Sequence, residues 1–380
     1  MAIAAFRGWV PRPMSVLIPG PPIRRQPNTP ESSNQMAKRT KHPVGLDIDP
    51  SGITAVQVSV NGRVTIEHAA TAELEAGIVR DGEVADGEAL AEALRKLWRE
   101  NKTLDRRVRV GVANQKIVVR VIELPPIEDR KQLDAAIRFQ AQEHIPMPLD
   151  QAVVDFHPLD VVDLGEGPRQ RVVLVAARRD MIDRLLSAVH SAGLRPEGID
   201  LAAFAMVRAL HREELAEEHV LYVSIGGLTN LAVAQGKACL FTRASGGGLE
   251  MLAVELAERS QLTLEHARGW LSHVGLDHPV DEIEGDAEIV VEARQVLSDG
   301  VRRIAAEIRN SLDFHHAQGV NGGVSRVIVT GPATNVPGFG DALSVELALP
   351  VEAAAIDAPD GLDAGRLTVA VGLALEEALA

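Results

Sequence analysis

The sequence of 380 residues contains one cysteine, Cys239, and very few aromatic residues. A single cysteine excludes a disulfide within the chain and any metal site built from several cysteines. Aromatic residues make up 3% of the chain and hydrophobic residues 46%, so Val, Leu, Ile and Ala must fill the cores. This composition favours layered α/β domains over an aromatic-rich β-sandwich.

The sequence also lacks a long apolar run. No segment reaches the roughly 18 consecutive apolar residues of a membrane-spanning helix. Prolines interrupt the N-terminal segment where a signal peptide needs a continuous apolar core. We therefore expect a cytoplasmic protein that reaches the inner face of the cell membrane only through a partner.

The charge of the chain is uneven along its length. The formal net charge is −14, and such acidity argues against nucleic-acid binding, which needs basic surfaces. Residues 1–42 nevertheless carry seven basic residues and one acidic residue. They are rich in Pro, Ser, Asn and Arg without periodicity, which predicts a disordered basic tail. Met36 is an alternative start of the chain, and contact with anionic lipid or a partner is the functional alternative for this tail.

A strand–turn–strand pattern begins at Val44 and includes the turn Asn61-Gly62, a strong hairpin signal. An amphipathic helix follows at 86–101. The first pattern recurs from Val220, which predicts two similar lobes that face each other across a cleft. The predicted division is a first lobe at 44–120, a small α+β domain inserted at 121–200, and a second lobe at 201–380 from which the C-terminus returns to the first lobe.

Three glycine-bearing turns each follow an apolar strand of the predicted lobes. They lie at 47–54, 224–230 and 330–334. Backbone N–H groups in such turns can cradle phosphate oxygens, and a carboxylate at a strand end can hold magnesium through water. Taken singly, each turn is equally typical of an ordinary hairpin or strand-to-helix connection.

In this order, the three turns resemble the phosphate-1, phosphate-2 and adenosine motifs of the actin-like ATPase superfamily. The block between the first two turns narrows the resemblance. Its segments Arg120–Pro125 and Glu143–Leu149, the latter containing Ile-Pro-Met-Pro-Leu, are similar to the PilM family of type IV pilus assembly proteins, which is related to FtsA. The similarity extends from about Val44 to the C-terminus.

The resemblance implies an α/β fold of two ribonuclease-H-like lobes around a nucleotide cleft, with a small α+β domain inserted in the first lobe. It implies ATP and Mg²⁺ between the lobes, with Asp47 as a magnesium ligand. The nucleotide-binding candidates are Asp47, Ser51, Gly52, Thr54, Gly226, Gly227, Thr229, Asn230, Gly246, Gly247, Gly331 and Ala333.

The resemblance also implies partners. The family captures the N-terminal tail of the membrane protein PilN in a groove beside the inserted domain, and it connects that protein to the pilus motor components. The candidates for lining the groove are Arg120, Arg138 and Arg178, because arginine grips carboxylates and backbone carbonyls. Assembly into a homo-oligomer stays open.

The nucleotide motifs depart from the family pattern at three positions: Asp49 replaces glycine, Ser224 replaces aspartate and Pro332 replaces glycine. A carboxylate 4 Å from a phosphate charge is repelled by roughly 4 kcal/mol at an effective dielectric constant of 20. We therefore expect weakened nucleotide binding and slow or absent hydrolysis. The opposing hypothesis is that Asp49 replaces the missing carboxylate and magnesium still binds.

The sequence thus favours a scaffold of a type IV pilus or related secretion machine, with ATP as a structural or regulatory ligand. It identifies no catalytic residue. Two alternatives stay open: an active ATPase or sugar-kinase-like enzyme on the same fold, and a filament-forming division protein of the FtsA type.

Overall fold

The computed structural model describes residues 42–163, 165, 167–317, 323–354, 356–359 and 361–375. The predicted basic tail, apart from His42, lies outside the described residues, and so do the last five positions of the predicted second lobe.

The first part of the chain builds an antiparallel meander and adds a parallel strand to it. Asn61 and Gly62 form the turn between the second and third strands, with Gly62 at φ 79°, as the sequence predicts. Asp86 caps the first helix by accepting hydrogen bonds from the N–H groups of Glu88 and Ala89. The elements are β1 (Val44–Asp49), β2 (Gly52–Val60), β3 (Val64–Glu73), β4 (Val79–Arg80), β5 (Glu83–Val84), α1 (Gly87–Glu100) and β6 (Arg107–Val112).

A small domain follows, in which one helix packs on a three-stranded sheet of order β7-β9-β8. Its elements are β7 (Val118–Leu124), α2 (Arg130–His144), β8 (Ala152–Asp163) and β9 (Pro168–Arg178). Leu133, Ile137 and Ala141 are buried with Val172 and Leu174 of the sheet. Full burial of a Leu or Ile side chain contributes about 1.5–3 kcal/mol, so this cluster gives the domain its own core.

The chain then returns to the first sheet earlier than the sequence predicts. The returning elements are α3 (Arg179–Ser191), β10 (Arg195–Leu201) and α4 (Ala202–Leu210). β10 pairs in parallel with β6, and α3 packs against α1. Residues 179–200 therefore belong to the first lobe, whose sheet has the order β10-β6-β1-β2-β3. The insert spans 118–178, not the predicted 121–200, because β10 finds its hydrogen-bond partners in β6.

The second lobe repeats the topology of the first. Its elements are β11 (His219–Ile225), β12 (Thr229–Gln235), β13 (Ala238–Ser245), α5 (Leu249–Ser260), α6 (Leu264–Val274), α7 (Ala287–Ala317), β14 (Arg326–Thr330), α8 (Phe339–Leu347) and β15 (Val351–Ala353). The sheet order is β13-β12-β11-β14-β15. An antiparallel three-stranded meander extended by two parallel strands is thus present in both lobes, and a separate apolar cluster fills the second.

The last described helix, α9 (Ala364–Ala374), crosses back to the first lobe. It packs on β1, β2 and α4. A Cβ on Gly372 would lie 1.9 Å from the Ala205 carbonyl oxygen, so glycine is required where α4 and α9 meet. Arg208 of α4 donates to the Gly372 carbonyl oxygen at 2.9 Å. These contacts hold α9 against α4 and the first sheet.

Candidate functional site: a closed cleft and an open groove

The turn after β1 carries two carboxylates, Asp47 and Asp49. Asp47 lies opposite Thr54 in the β1–β2 ladder. Desolvation by the surrounding protein, together with the charge of Asp49, raises the pKa of Asp47 to about 7, although Arg366 opposes the shift. Among the described residues, no group of three or more His, Cys, Asp or Glu side chains could hold a metal ion. Magnesium at Asp47 would therefore need its other ligands from water or a bound molecule.

Asp49 does not point freely into the cleft. Its Oδ1 atom accepts a hydrogen bond from the Ser51 N–H at 2.8 Å and from the Gly227 N–H at 3.0 Å. Its Oδ2 atom accepts from the Leu228 N–H at 3.2 Å. One carboxylate thus connects the first ligand turn of the first lobe to the turn between β11 and β12 of the second lobe.

The second turn is packed tightly against the first. A Cβ on Gly227 would lie 2.1 Å from Asp49 Oδ1 and 2.8 Å from the Ser51 nitrogen, so a residue without a side chain is required there. Thr229 donates through Oγ1 to the Gly247 carbonyl oxygen at 2.5 Å. The two turns are therefore in van der Waals contact, and their polar groups bond to each other.

The third turn packs against the second turn. Pro332 Cδ is 3.3 Å from the position of a Cβ on Gly226. Ala333, predicted to bind nucleotide, is fully buried, and Thr54 is 4% exposed. Gly246 lies beside the Asp81 carboxylate.

The three predicted turns lie together in the structure, and two of their N–H groups already donate hydrogen bonds within the chain. The N–H groups of Gly227 and Leu228 would have to meet phosphate oxygens, and they already donate to Asp49. Pro332 provides no N–H group at the third turn. These two N–H donors of the cleft are therefore satisfied from within the chain.

One predicted cleft residue lies elsewhere. Asn230, near the start of β12, lines a cavity of about 340 Å³ between the insert, the first lobe and the second lobe. We call this cavity the groove; its lining includes Arg120, Pro146, Asn230, Phe241, Arg243 and Phe314. Asn230 is 7% exposed, and its Nδ2 atom is buried without a hydrogen-bond partner. Sequence reasoning missed this location because a residue's side of a strand depends on the lobe packing.

Two edge strands line the groove. β7 is at one edge of the insert sheet, and β13 is at one edge of the second-lobe sheet. Edge strands present unpaired backbone N–H and C=O groups. The guanidinium carbon of Arg120 lies 6.0 Å from the centre of the Phe314 ring, within the range of a cation–π contact.

The three arginines predicted to line a peptide groove are not brought together. Arg120 lines the groove. Arg138 forms an ion pair with Asp134 on the exposed side of α2, and Arg178 forms one with Asp180 at the start of α3. Arg138 and Arg178 do not line the groove, and each pairs with a nearby acidic residue instead. Arg243, missed in the sequence, lies in the groove instead.

Two lobes of repeated topology, closed at three turns and carrying an insert in the first, define an actin-like ATPase fold. The chain belongs to the family described as type IV pilus assembly protein PilM, whose family model matches residues 45–377. The resemblance seen in the sequence is therefore confirmed.

Relatives outside and within this family share the fold. A solved structure described as a PilM-PilN type IV pilus biogenesis complex is 25% identical, with a TM-score of 0.72 over 88% of this chain and 98% of that chain. MreB5 of Spiroplasma citri bound to ADP is 12% identical, with a TM-score of 0.53 over 88% and 95%. The cell division protein FtsA of Streptococcus pneumoniae is 23% identical over 330 residues, 78% of this chain and 71% of FtsA.

Within the part of the chain that the structure describes, no helix combines the length and apolar character needed to cross a membrane.

Proposed function

We propose that this protein is a cytoplasmic scaffold of a type IV pilus or related secretion machine, which captures the N-terminal tail of a PilN-like membrane protein in the groove. The observation that carries the proposal is a buried hydrogen-bond donor in the groove wall that has no partner among the described residues. The buried Asn230 amide has an Nδ2 atom without a partner, and a similar structure is described as a PilM-PilN complex.

An extended segment suits the shape of the groove. Its volume of about 340 Å³ is at the lower end of ligand cavities, which span about 300–1,000 Å³. β7 and β13 offer backbone edges on the two sides, and an added strand gains its affinity from such main-chain hydrogen bonds. A short tail would therefore bind with its backbone along these edges.

The side chains of the groove indicate the chemistry of the tail. Arg120 and Arg243 have no acidic partner among the described residues, although the chain as a whole is acidic. Arg120 donates to the neighbouring Val119 carbonyl oxygen at 3.0 Å. Phe241 and Phe314 provide an apolar wall between them. We infer a tail that combines an apolar side chain with carboxylates or exposed carbonyl oxygens, which guanidinium groups recognise.

The same proposal covers the remaining partners and the nucleotide. Membrane association would come through the captured tail, and the pilus motor components would bind other surfaces of the scaffold. Nucleotide binding would be weakened and hydrolysis slow or absent, because Asp49 and Pro332 stand at the ligand turns. ATP would then be dispensable for capture of the tail.

Calorimetry with the purified protein and a synthetic peptide of the PilN-like tail tests the proposal. We expect saturable binding to one site, with an affinity that Mg-ATP does not change. Asn230→Leu, which keeps the size of the side chain but removes the unpaired donor, should weaken binding. Absence of binding to the tail would refute the scaffold proposal, and an affinity that depends on Mg-ATP would refute the dispensable role of the nucleotide.

A further inference from the structure

The turn between β11 and β12 has the construction of an anion site. Successive backbone N–H groups in a glycine turn form a concave donor surface that binds phosphate and carboxylate groups. The N–H groups of Gly227 and Leu228 converge here. We call these two N–H groups the amide cradle.

The amide cradle already holds an anion, and that anion belongs to the chain. Each oxygen of the Asp49 carboxylate accepts one of the two N–H groups, at 3.0 Å and 3.2 Å. Hydrogen bonds from backbone N–H groups to a carboxylate are charge-assisted and stronger than neutral ones. Desolvation raises the pKa of Asp49, whereas hydrogen bonds from Ser51, Leu228 and Gly227 favour its ionised form.

We infer that the Asp49 carboxylate is the internal anion of the amide cradle, where it takes the place of a nucleotide phosphate and fastens the two lobes to each other. The inference does not depend on the pilus assignment, because it concerns only the two turns and their donors.

The contact between the turns leaves no room for a second anion. The Asp49 and Gly227 positions are 178 residues apart in the chain, so this carboxylate connects separate lobes and not neighbouring residues. The position of a Gly227 Cβ is 2.1 Å from Asp49 Oδ1. A phosphate could reach the amide cradle only after the Asp49 side chain had left it.

A second contact between the lobes, at the rim of the cleft, also holds the cleft closed without a ligand. Arg268 of α6 forms an ion pair with Glu73 of β3 at 2.6 Å, and it holds Glu250 of the second lobe at 2.6 Å. Both interlobe contacts, that of Asp49 with the amide cradle and that of Arg268 with Glu73, form within this chain and without a ligand. The closed arrangement of the lobes is therefore expected without any nucleotide.

Hydrogen–deuterium exchange and nucleotide titration of the full chain, without nucleotide and with Mg-AMPPNP, test the inference. In Asp49→Gly, the segment 225–229 should exchange faster, and the melting temperature without nucleotide should fall by a few degrees. The affinity for Mg-AMPPNP should rise roughly tenfold or more, because a repelling carboxylate has been removed. Asp49→Asn keeps one acceptor oxygen and should give intermediate exchange; it also serves if Asp49→Gly does not fold.

The matched control is Asp129→Gly. Asp129 also accepts a backbone N–H, that of Gln132 in α2, but it connects no lobes. The Asp129→Gly variant should show the wild-type exchange of residues 225–229 and the wild-type affinity for Mg-AMPPNP. Equal exchange of that segment in the wild type and both Asp49 variants would overturn the inference. So would a wild-type affinity for Mg-AMPPNP that equals the affinity of the Asp49 variants.

Discussion

The closed cleft and the open groove both involve residues at the start of β12, and they differ in how their polar groups are satisfied. In the cleft, the N–H groups of Gly227 and Leu228 donate to Asp49. In the groove, the Nδ2 atom of Asn230 has no partner, and Arg243 lines the wall without forming an ion pair among the described residues.

This difference is the basis of the two proposals, a cleft closed by the chain itself and a groove that binds a partner. A buried polar group without a partner costs about 1–3 kcal/mol, so a protein keeps such groups where something else satisfies them. The cleft has the three turns of a nucleotide site, but the N–H groups of Gly227 and Leu228 donate to Asp49 of the same chain. In the proposed function, the tail of a partner satisfies the free donor of the groove.

The largest expected effect tests how tightly the cleft is closed. Gly227→Ala places a methyl group 2.1 Å from Asp49 Oδ1, and such overpacking destabilises proteins by about 1–3 kcal/mol. Urea unfolding should show this loss in the free energy of unfolding. The double variant Asp49→Gly/Gly227→Ala should lose less than the sum of the two single variants, because the overlapping carboxylate is gone.

The control is Gly269→Ala in α6, where an added Cβ meets no atom within 4 Å. Alanine should be neutral or stabilise the helix by up to about 1 kcal/mol. Equal effects of Gly227→Ala and Gly269→Ala would contradict a closed cleft.

An intermediate effect tests the groove. Arg243→Ala should weaken binding of the PilN-like tail roughly tenfold, because a charge-assisted hydrogen bond contributes about 1.5–3 kcal/mol. Arg138→Ala and Arg178→Ala remove arginines that pair with their own acidic neighbours, and calorimetry should show the wild-type affinity within experimental error. A loss in the two controls as large as in Arg243→Ala would place the tail outside the groove.

The smallest effect concerns the rim of the cleft. Glu73→Gln removes the interlobe ion pair with Arg268, but the Glu73 side chain is 57% exposed. Exposed ion pairs contribute about 0–1 kcal/mol, so the midpoint of urea unfolding should shift only slightly, and not at all in about 1 M salt. A loss that persists at high salt would show that the rim, and not Asp49, holds the lobes together.

Much of the fold could be predicted from the sequence because its signals are local. The turn Asn61-Gly62 and the cap Asp86 appear where the pattern predicts them. The repeat of the two lobes was also readable, since each begins with the same strand and turn order. The end of the insert could not be predicted from the sequence, because β10 is a short strand whose partner, β6, is distant in sequence.

The candidate site was predictable only in part. The departure at Asp49 was visible as an unusual residue, yet its acceptor role needs the other lobe, 178 residues away. Asn230 was assigned to the cleft because it follows the glycine turn, although it lines the groove. The pairing of Arg138 with Asp134 follows from their i,i+4 spacing, and this signal could have removed Arg138 from the candidates.

The docking of α9 on β1, β2 and α4 sets the order in which the protein can be completed during synthesis. Val371 and Leu367 of this helix are buried in a cluster with Val56 and Val58 of β2, so one face of the first sheet receives its cover from a helix that follows all the other described elements in the chain. Contacts between such distant segments slow folding. Until α9 has emerged from the ribosome, that apolar face of the first sheet is exposed, and transiently exposed apolar surface favours aggregation.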